Sequence, residues 1–578
     1  AQSITLAYDN LNRLTSRTYP SASDNVSYTY DLLGRRLSAT GATAADNVSY
    51  SFDNAGRLIS TVANGRTLSH QVDAAGNRVR TTWPEATPFY VTTTYDALNR
   101  PTAITELGTT NLASYAYDDL SRRTTVTLGN GTTTTQSYST QATLSTLAHN
   151  LTGTAQDNTT TYTRNQAREI TGQSWTNDIY QWAGVPGNVT NGTRSYSANG
   201  LNQYTSAAGA SQTHDANGNL SGDGTWTYGY DLNNRLKTAS KAGTSATLAY
   251  DAEGRLRQSV IAAVTTNLTY DGQDLVAEYD AAGAPQRRYV HGPGVDEPLV
   301  VYEGTTTTAK TWLYADHLGS IVGTADATGT STAIYSYGPF GEPNTTTGQR
   351  FRYTGQQLIS GLGLYHYKAR FYSPALGRFL QTDPIGMADD LNLYAYVGNS
   401  PVNFTDPSGL SAADVEGLKS SITGSQSVQV AQLLPPPAYL NPWTVGPAVI
   451  ATGCMMSQGC RSLIFNESGE GKIHDIVVPG DKYPESAGHI RDAQGNGQPD
   501  ILTIDRGGAK ARRPEAMQGN PVVPGQDRDE YPPALTSEGG KGASVRPISP
   551  SDNRGAGACI GAQCRGLPDG SRIRIIPK

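Results

Sequence analysis

Apolar and polar residues alternate in short runs through the first part of the chain, and the runs end on the same pair. Segments such as VSYTY (Val26 to Tyr30) and NLTY (Asn267 to Tyr270) alternate as half-buried strands do and then meet Asp, which starts a turn. Gly or Asn two or three residues later tolerates the left-handed conformation that closes the turn, and Arg-Leu-x-Ser begins the return strand. The pair occurs as Tyr8-Asp9, Tyr30-Asp31, Phe52-Asp53, Val72-Asp73, Tyr95-Asp96 and Tyr117-Asp118, a period of about 22 residues. After an irregular stretch it resumes at His214-Asp215, Tyr230-Asp231, Tyr250-Asp251, Tyr270-Asp271 and Tyr279-Asp280. One unit is a strand, a tight turn and a strand, and stacked hairpins cover one another's edges. Periodicity alone allows a hollow shell, a solid solenoid or a stalk. The repeat Tyr, Asp, Gly and Arg residues read as structural. His317, in DHLGS, reads as a hydrogen-bonded turn residue rather than a ligand.

Composition supports a β-rich chain. Only 16% of the 578 residues are charged, and Tyr outnumbers Phe 33 to 8, which suits half-wet sheet surfaces. That length calls for at least two domains. A net charge of -6 gives no electrostatic argument for a large nucleic-acid surface. All four cysteines (Cys454, Cys460, Cys559, Cys564) fall in the last part, where their spacing fits common zinc motifs poorly; disulfides and free thiols are the other readings. No signal peptide opens the chain, and the repeat is already under way at Ala1, so an N-terminal part is expected to be missing.

From Arg350 to Leu410 the pattern changes. Asp383-Pro384-Ile385-Gly386 recurs as Asp406-Pro407-Ser408-Gly409, two tight turns flanking an aromatic run. Two ordinary surface turns are one reading; a matched pair of carboxylates is the other. Paired carboxylates do not both ionise easily, so one can act as base while its protonated partner donates a hydrogen bond. The run YHYKARFYSPALGRFLQTDPIG with NLYAYVGNSPVNFTDPSGL resembles the Rhs-repeat-associated core of bacterial Rhs polymorphic toxins and of insecticidal toxin-complex C components. Trp312 to Pro343 matches the same family. The resemblance implies that the repeats wind into a hollow spiral β-shell, or cocoon. It also implies an aspartyl autoprotease with Asp383 and Asp406 as the acids, Arg370 as helper and the cut at Leu410-Ser411. The cleaved toxin then stays inside the shell. A secretion-system spike or adaptor would engage the missing N-terminal region, with type VI secretion as the family-level route.

Beyond the cut, Ser411-Ala-Ala-Asp414 resembles a capping box opening a short helix to about Ile422. Gln426 to Met456 is apolar but broken by Pro435-Pro436-Pro437, Pro442 and Pro447, so it reads as a linker or plug rather than a membrane span. From about Phe465 a compact domain is expected. Its series YPESAGHI, PDILTIDR, DRDEYPPA, EGG, SDNRGAG and PDGSRI resembles the NucA/NucB family of secreted bacterial deoxyribonucleases, a compact variant of the ββα metal-dependent nucleases. Asp527, Asp529, Glu530 and Glu538 lie within twelve positions, and Asn553 follows before a Gly/Ala stretch that can open a helix. Hard divalent cations take such oxygen ligands. The resemblance points to Asp529 or Glu530 as general base. Asp527, Glu538 and Asn553 are the expected metal-site residues, for Mg²⁺ or Mn²⁺. Arg528 and Arg554 are candidates for phosphate. Solvated loop acids are the plain alternative. His489, in AGHIRDA, is expected on a helix with a structural hydrogen bond, catalysis being the less favoured role.

The reading is therefore mainly β. A repeat shell spans 1–340, the associated core 341–410, a linker or plug 411–464 and a small α+β nuclease domain 465–578. As an effector, the chain would deliver a DNase to the target-cell cytoplasm, with DNA as substrate and a cognate immunity protein as partner. Two other readings are a delivery shell with a non-DNase tip and a non-enzymatic adhesion or scaffold protein.

Overall fold

The repeat turn builds itself from local bonds. In Asp31-Leu-Leu-Gly34-Arg35 the side-chain Oδ1 of Asp31 accepts the amides of Leu33 and Arg35, both at 2.9 Å, and Oδ2 accepts Arg35 Nε at 2.6 Å. Gly34 donates its amide to Asp31 O at 3.1 Å from a left-handed conformation, φ 83°. Asn12, Asn99 and Asn234 take that position at φ 57°, 59° and 59° in other repeats. The flanking strands slip register at the repeat tyrosine (Thr29↔Ser38, then Tyr30↔Arg36), the bulge that accompanies such turns. The arginine has a second role: Arg13, Arg100, Arg122, Arg235 and Arg255 each lie over the tyrosine of the following strand, 4.3–5.7 Å from its centroid. That tyrosine's hydroxyl reaches back to a strand-start carbonyl, as in Tyr30 to Leu14 O and Tyr250 to Leu236 O. Repeats of this kind are thereby locked to the next, which accounts for the recurrence of Tyr, Asp and Arg within this sequence.

The computed structural model describes residues 3–85, 87–184, 194–414, 474–564, 567 and 571–577. The chain forms two units, Ala1–Met456 and Ser457–Lys578. In the first, sixteen antiparallel strands from Thr5–Tyr8 to Ile170–Trp175 pair in sequence order. Three short strands follow, then thirteen more in order from Thr213–His214 to Ser331–Ile334. The two large sheets share apolar clusters, one joining Leu68, Phe89 and Leu112 to Val300, Tyr302 and Trp312. Ion pairs also join them: Arg36–Glu253 at 2.6 Å, Arg257–Asp46 at 2.7 Å and Arg123–Glu297 at 2.7 Å. His317 is a buried turn residue whose Nε2 meets Val402 O at 3.0 Å. Among the described residues, no helix is long and apolar enough to cross a membrane.

The repeat Asp–Arg pair sits in different surroundings along the chain. At Asp251–Arg255 both side chains are 4% exposed, whereas at Asp53–Arg57 they are 23% and 28% exposed. Removing one partner of a buried pair strands the other charge, at a cost of about 3 kcal/mol or more. Asp251→Ala should therefore lower the urea midpoint of the repeat region well beyond Asp53→Ala; equal shifts would show that the turn, not burial, sets the cost.

A four-stranded sheet, Gln357–Ile359, Leu364–Tyr367, Arg370–Ser373 and Arg378–Phe379, follows the large sheets. It packs with Tyr353, Tyr396 and Val397 into a cluster rich in buried tyrosines. In the second unit, His474–Val478 pairs in parallel with Arg572–Pro577, which pairs antiparallel with Ile501–Thr503. Helices α1 (Pro484–Gly495), α2 (Ala509–Met517) and α3 (Pro550–Cys564) accompany a hairpin of Asp527–Tyr531 and Ser544–Ile548. The protein is thus mainly β with a small α+β unit.

Candidate functional site

The two Asp-Pro-x-Gly turns meet. Asp383 closes the turn after Arg378–Phe379, its Oδ1 accepting the Ile385 amide at 2.9 Å and its carbonyl the Gly386 amide at 3.0 Å. Arg370, 1% exposed, extends one Nη2 to Asp383 Oδ2 at 2.9 Å and to Asp406 Oδ2 at 3.3 Å. Its Nε donates to Gly409 O at 2.5 Å and Nη1 to Leu393 O at 3.2 Å, and its guanidinium lies 3.7 Å from the Phe379 centroid. The remaining oxygen of Asp406 faces the DPSGL segment. Oδ1 accepts the amides of Leu410 at 3.0 Å and Ser411 at 3.1 Å, with Ser408 Oγ at 3.3 Å. The Ser411 nitrogen is the amide nitrogen of the Leu410-Ser411 bond, so this carboxylate touches the leaving group that the sequence reading names.

Burial pushes Asp383 up to about 7, against the pull of Arg370, with Asp406 adding to the rise. Burial also raises Asp406, while Arg370 and the two backbone amides favour its charged form. Asp406 therefore carries the donors that suit a carboxylate, and Asp383 is the better holder of a proton.

The same segment corrects one expectation. Ala413–Asp414 is a strand paired with Phe404–Thr405, not the start of a capped helix; cross-strand pairing overrides the local capping pattern. The rest of the expected helix, to Ile422, and the Gln426 to Met456 segment lie outside the described residues. Gly409 has φ 72°, and a Cβ there would stand 2.2 Å from Tyr367 O. Gly409→Ala should cost about 1–2 kcal/mol for the left-handed conformation alone, ~10-fold in the population of this turn. If the turn is the cleavage-ready state, uncut chain should build up in a cell-free translation time course; a wild-type time course would separate the turn from cleavage.

In the second unit the hairpin sorts the candidate residues by strand periodicity. Asp527, Asp529 and Tyr531 share a face. Tyr531 enters the core with Ala487, Ile490, Ala556 and Ile560 from helices α1 and α3. Asp529 Oδ2 lies 2.8 Å from His489 Nδ1 of α1. Asp527 pairs with Arg554 of α3 at 2.9 and 3.2 Å and meets Asn553 Nδ2 at 3.5 Å. Arg528 and Glu530 point the other way. Arg528 Nη1 donates to Met517 O at 3.3 Å and Asn520 O at 3.0 Å, and Glu530 Oε1 accepts from Ala534 N at 3.1 Å and Arg513 Nε at 3.5 Å. Glu538 Oε2 accepts the Thr503 amide at 2.8 Å.

The structure therefore gathers Asp527, Asp529, Asn553, Arg554 and His489, and gives Glu530, Arg528 and Glu538 other partners. The acid beside Asn553, Asp552, caps α1 by accepting the Glu485 and Ser486 amides at 3.0 and 2.9 Å. His489 is helical and hydrogen-bonded as expected, but its partner Asp529 lies forty residues away and no local signal announces it. Cys559 and Cys564 are free thiols; Cys454 and Cys460 lie outside the described residues.

Among the described residues no three His, Cys, Asp or Glu side chains form a ready metal cage. Mg²⁺ commonly takes one or two carboxylates and keeps waters or substrate phosphate for the rest. Asp527 and Asn553, on the face that also carries Asp529, would supply donors of that kind once Asp527 leaves Arg554 and the Asn553 amide, whose Nδ2 meets Asp527 here, turns its oxygen to the cation.

The unit places a two-stranded antiparallel hairpin ahead of a helix, with acids on the strand and Asn near the helix start. The family model for deoxyribonuclease NucA/NucB matches residues 502–576. The "DNA-entry nuclease" of Bacillus subtilis (strain 168) is 50% identical over 98 residues, 17% of this chain and 67% of that protein. Through this C-terminal region the chain belongs to the NucA/NucB deoxyribonuclease family. The "tRNA nuclease WapA" of Bacillus subtilis (strain 168) is 31% identical over 228 residues, 37% of this chain. "Toxin subunit YenC2" of Yersinia entomophaga is 46% identical over 63 residues, 11% of this chain. The matches span only 10% and 6% of those two proteins. The C-terminal region is a nuclease domain, and the chain has toxin-like relatives.

Proposed function

We propose that this nuclease is the cargo of an Rhs-type toxin, which cuts its own chain at Leu410-Ser411 and degrades DNA with a divalent cation. The observation that carries the cleavage reading is the contact of Asp406 Oδ1 with the Ser411 amide nitrogen at 3.1 Å, within a pair of acids bridged by one buried arginine. Ionised Asp406 takes a proton from water as the water oxygen attacks the Leu410 carbonyl carbon. Protonated Asp383 hydrogen-bonds the developing oxyanion, and Arg370 keeps the pair in place. The proton then passes to the Ser411 nitrogen, the C–N bond breaks, and a Leu410 carboxylate and a Ser411 amine result.

For the nuclease, Asp529 is the general base and Asp527 with Asn553 would hold the cation, which supplies charge stabilisation at the phosphate when bound. Arg554, 74% exposed beside Asp527, is placed to contact phosphate. This narrows the sequence reading from two candidate bases to one. Residues 411–578 should degrade plasmid DNA with Mg²⁺ and not with EDTA. EDTA-resistant cleavage, or cleavage of tRNA with DNA left intact, would overturn the assignment.

A further inference from the structure

We propose that His489 is a positioning residue of the nuclease, fixing the Asp529 carboxylate between the helix and the hairpin so that one defined oxygen faces the substrate. The inference rests on Asp529 as general base and extends that reading to a residue beneath it.

His489 is wholly buried on α1, at 0% exposure, so its ring does not reach a substrate. Both ring nitrogens are engaged: Nδ1 with Asp529 Oδ2 at 2.8 Å and Nε2 with Ser544 Oγ at 3.0 Å. A carboxylate only accepts, so Nδ1 carries the hydrogen. In the Nδ1–H tautomer Nε2 is the acceptor, and the Ser544 hydroxyl donates to it. Every polar atom of the imidazole is satisfied in one tautomer.

Asp529 and Ser544 belong to the two strands of the hairpin, Asp529 opposite Arg546 and Ser544 opposite Tyr531. The imidazole therefore ties both strands to α1, while Asp552 of α3 caps the same helix. The consequence falls on Asp529. Its Oδ2 is taken by the imidazole, and no hydrogen bond among the described residues reaches Oδ1. The side chain keeps 16% exposure on the face that also carries Asp527 and Asn553. Ser, His and Asp in this hydrogen-bond order also occur in serine hydrolases, but a ring wholly closed to solvent describes a strut rather than a base that serves a nucleophile.

Amide side chains separate the two bonds. An Asn amide nitrogen falls near the Nδ1 position and can still donate to Asp529; a Gln amide reaches the Nε2 position and serves Ser544 alone. In the full-length chain with Mg²⁺ and plasmid DNA, His489→Asn should keep kcat within about 10-fold, while His489→Gln should lose on the order of 10²-fold with KM unchanged. Thermal midpoints of the two variants should agree. Ser544→Ala should keep most of the activity. Equal kcat for Asn and Gln, or losses that follow the thermal midpoints, would reduce His489 to a core residue and overturn the inference. Complete loss in Ser544→Ala would also overturn it, by making the serine a nucleophile. Asp529→Asn, measured in parallel, separates the two levels. If it is inactive while the His489 variants are active, this inference alone fails; if it is active, the base assignment fails first.

Discussion

Replacing Asp529 by Asn is expected to lower DNA cleavage by about 10²–10⁴-fold, the usual cost of a lost general base. Glu530→Gln should cost far less. The two acids are neighbours in sequence but occupy opposite faces of one strand. Asp529 stands with Asp527, Asn553 and Arg554 on the side of α1 and α3. Glu530 spends one oxygen on the Ala534 amide and Arg513, and its other oxygen is buried without a hydrogen bond. Plasmid nicking rates for the two variants, each checked for folding by circular dichroism, decide between them. A large loss in Glu530→Gln with normal rates in Asp529→Asn would place the reaction on the α2 side of the hairpin and remove the role given to Asn553.

The second large effect concerns the acid pair. Asp383→Asn and Asp406→Asn should each leave the chain whole. The first removes the carboxylic acid that holds the proton, and the second replaces the basic carboxylate beside the Ser411 nitrogen with an amide that cannot take a proton from water. The pH dependence follows from the environments. Burial holds the Asp383 proton up to about 7, so cleavage should slow as pH rises through that value and the second carboxylate ionises beside the first. Asp406 is also raised, so its protonation shifts the acid limb of the profile above the ordinary carboxylate range. A time course of newly synthesised chain at several pH values checks both limbs. A rate that keeps rising above pH 8 would show that cleavage needs no protonated acid and contradict the mechanism.

The repeats were legible because their bonds are local. Asp31 to Arg35 spans four positions, and the bulge and the left-handed Gly34 follow from the same five residues. The aspartate pair was legible as a repeated motif, but its meeting was not, since Arg370 and Asp406 lie 36 residues apart and are joined by a sheet edge and a loop. The pairs Arg36–Glu253 and Arg257–Asp46 are more remote still, at separations of 217 and 211 residues, and carry no pattern that a single chain reveals. In the nuclease unit the motif order pointed to the acids, and strand alternation sorted them only once the Asp527–Tyr531 strand was in place. Ser411 to Asp414 failed in the opposite direction: a local helix-start pattern gave way to pairing with Phe404–Thr405.

The bond between Leu410 and Ser411 is where self-cleavage stands or falls, and the intact mass of the purified chain under denaturing conditions reads it directly. Two species should appear, one ending at Leu410 and one beginning at Ser411, while Asp406→Asn gives a single full-length species. A wild-type chain that stays full-length, or an Asp406→Asn chain cut at the same bond, would contradict it.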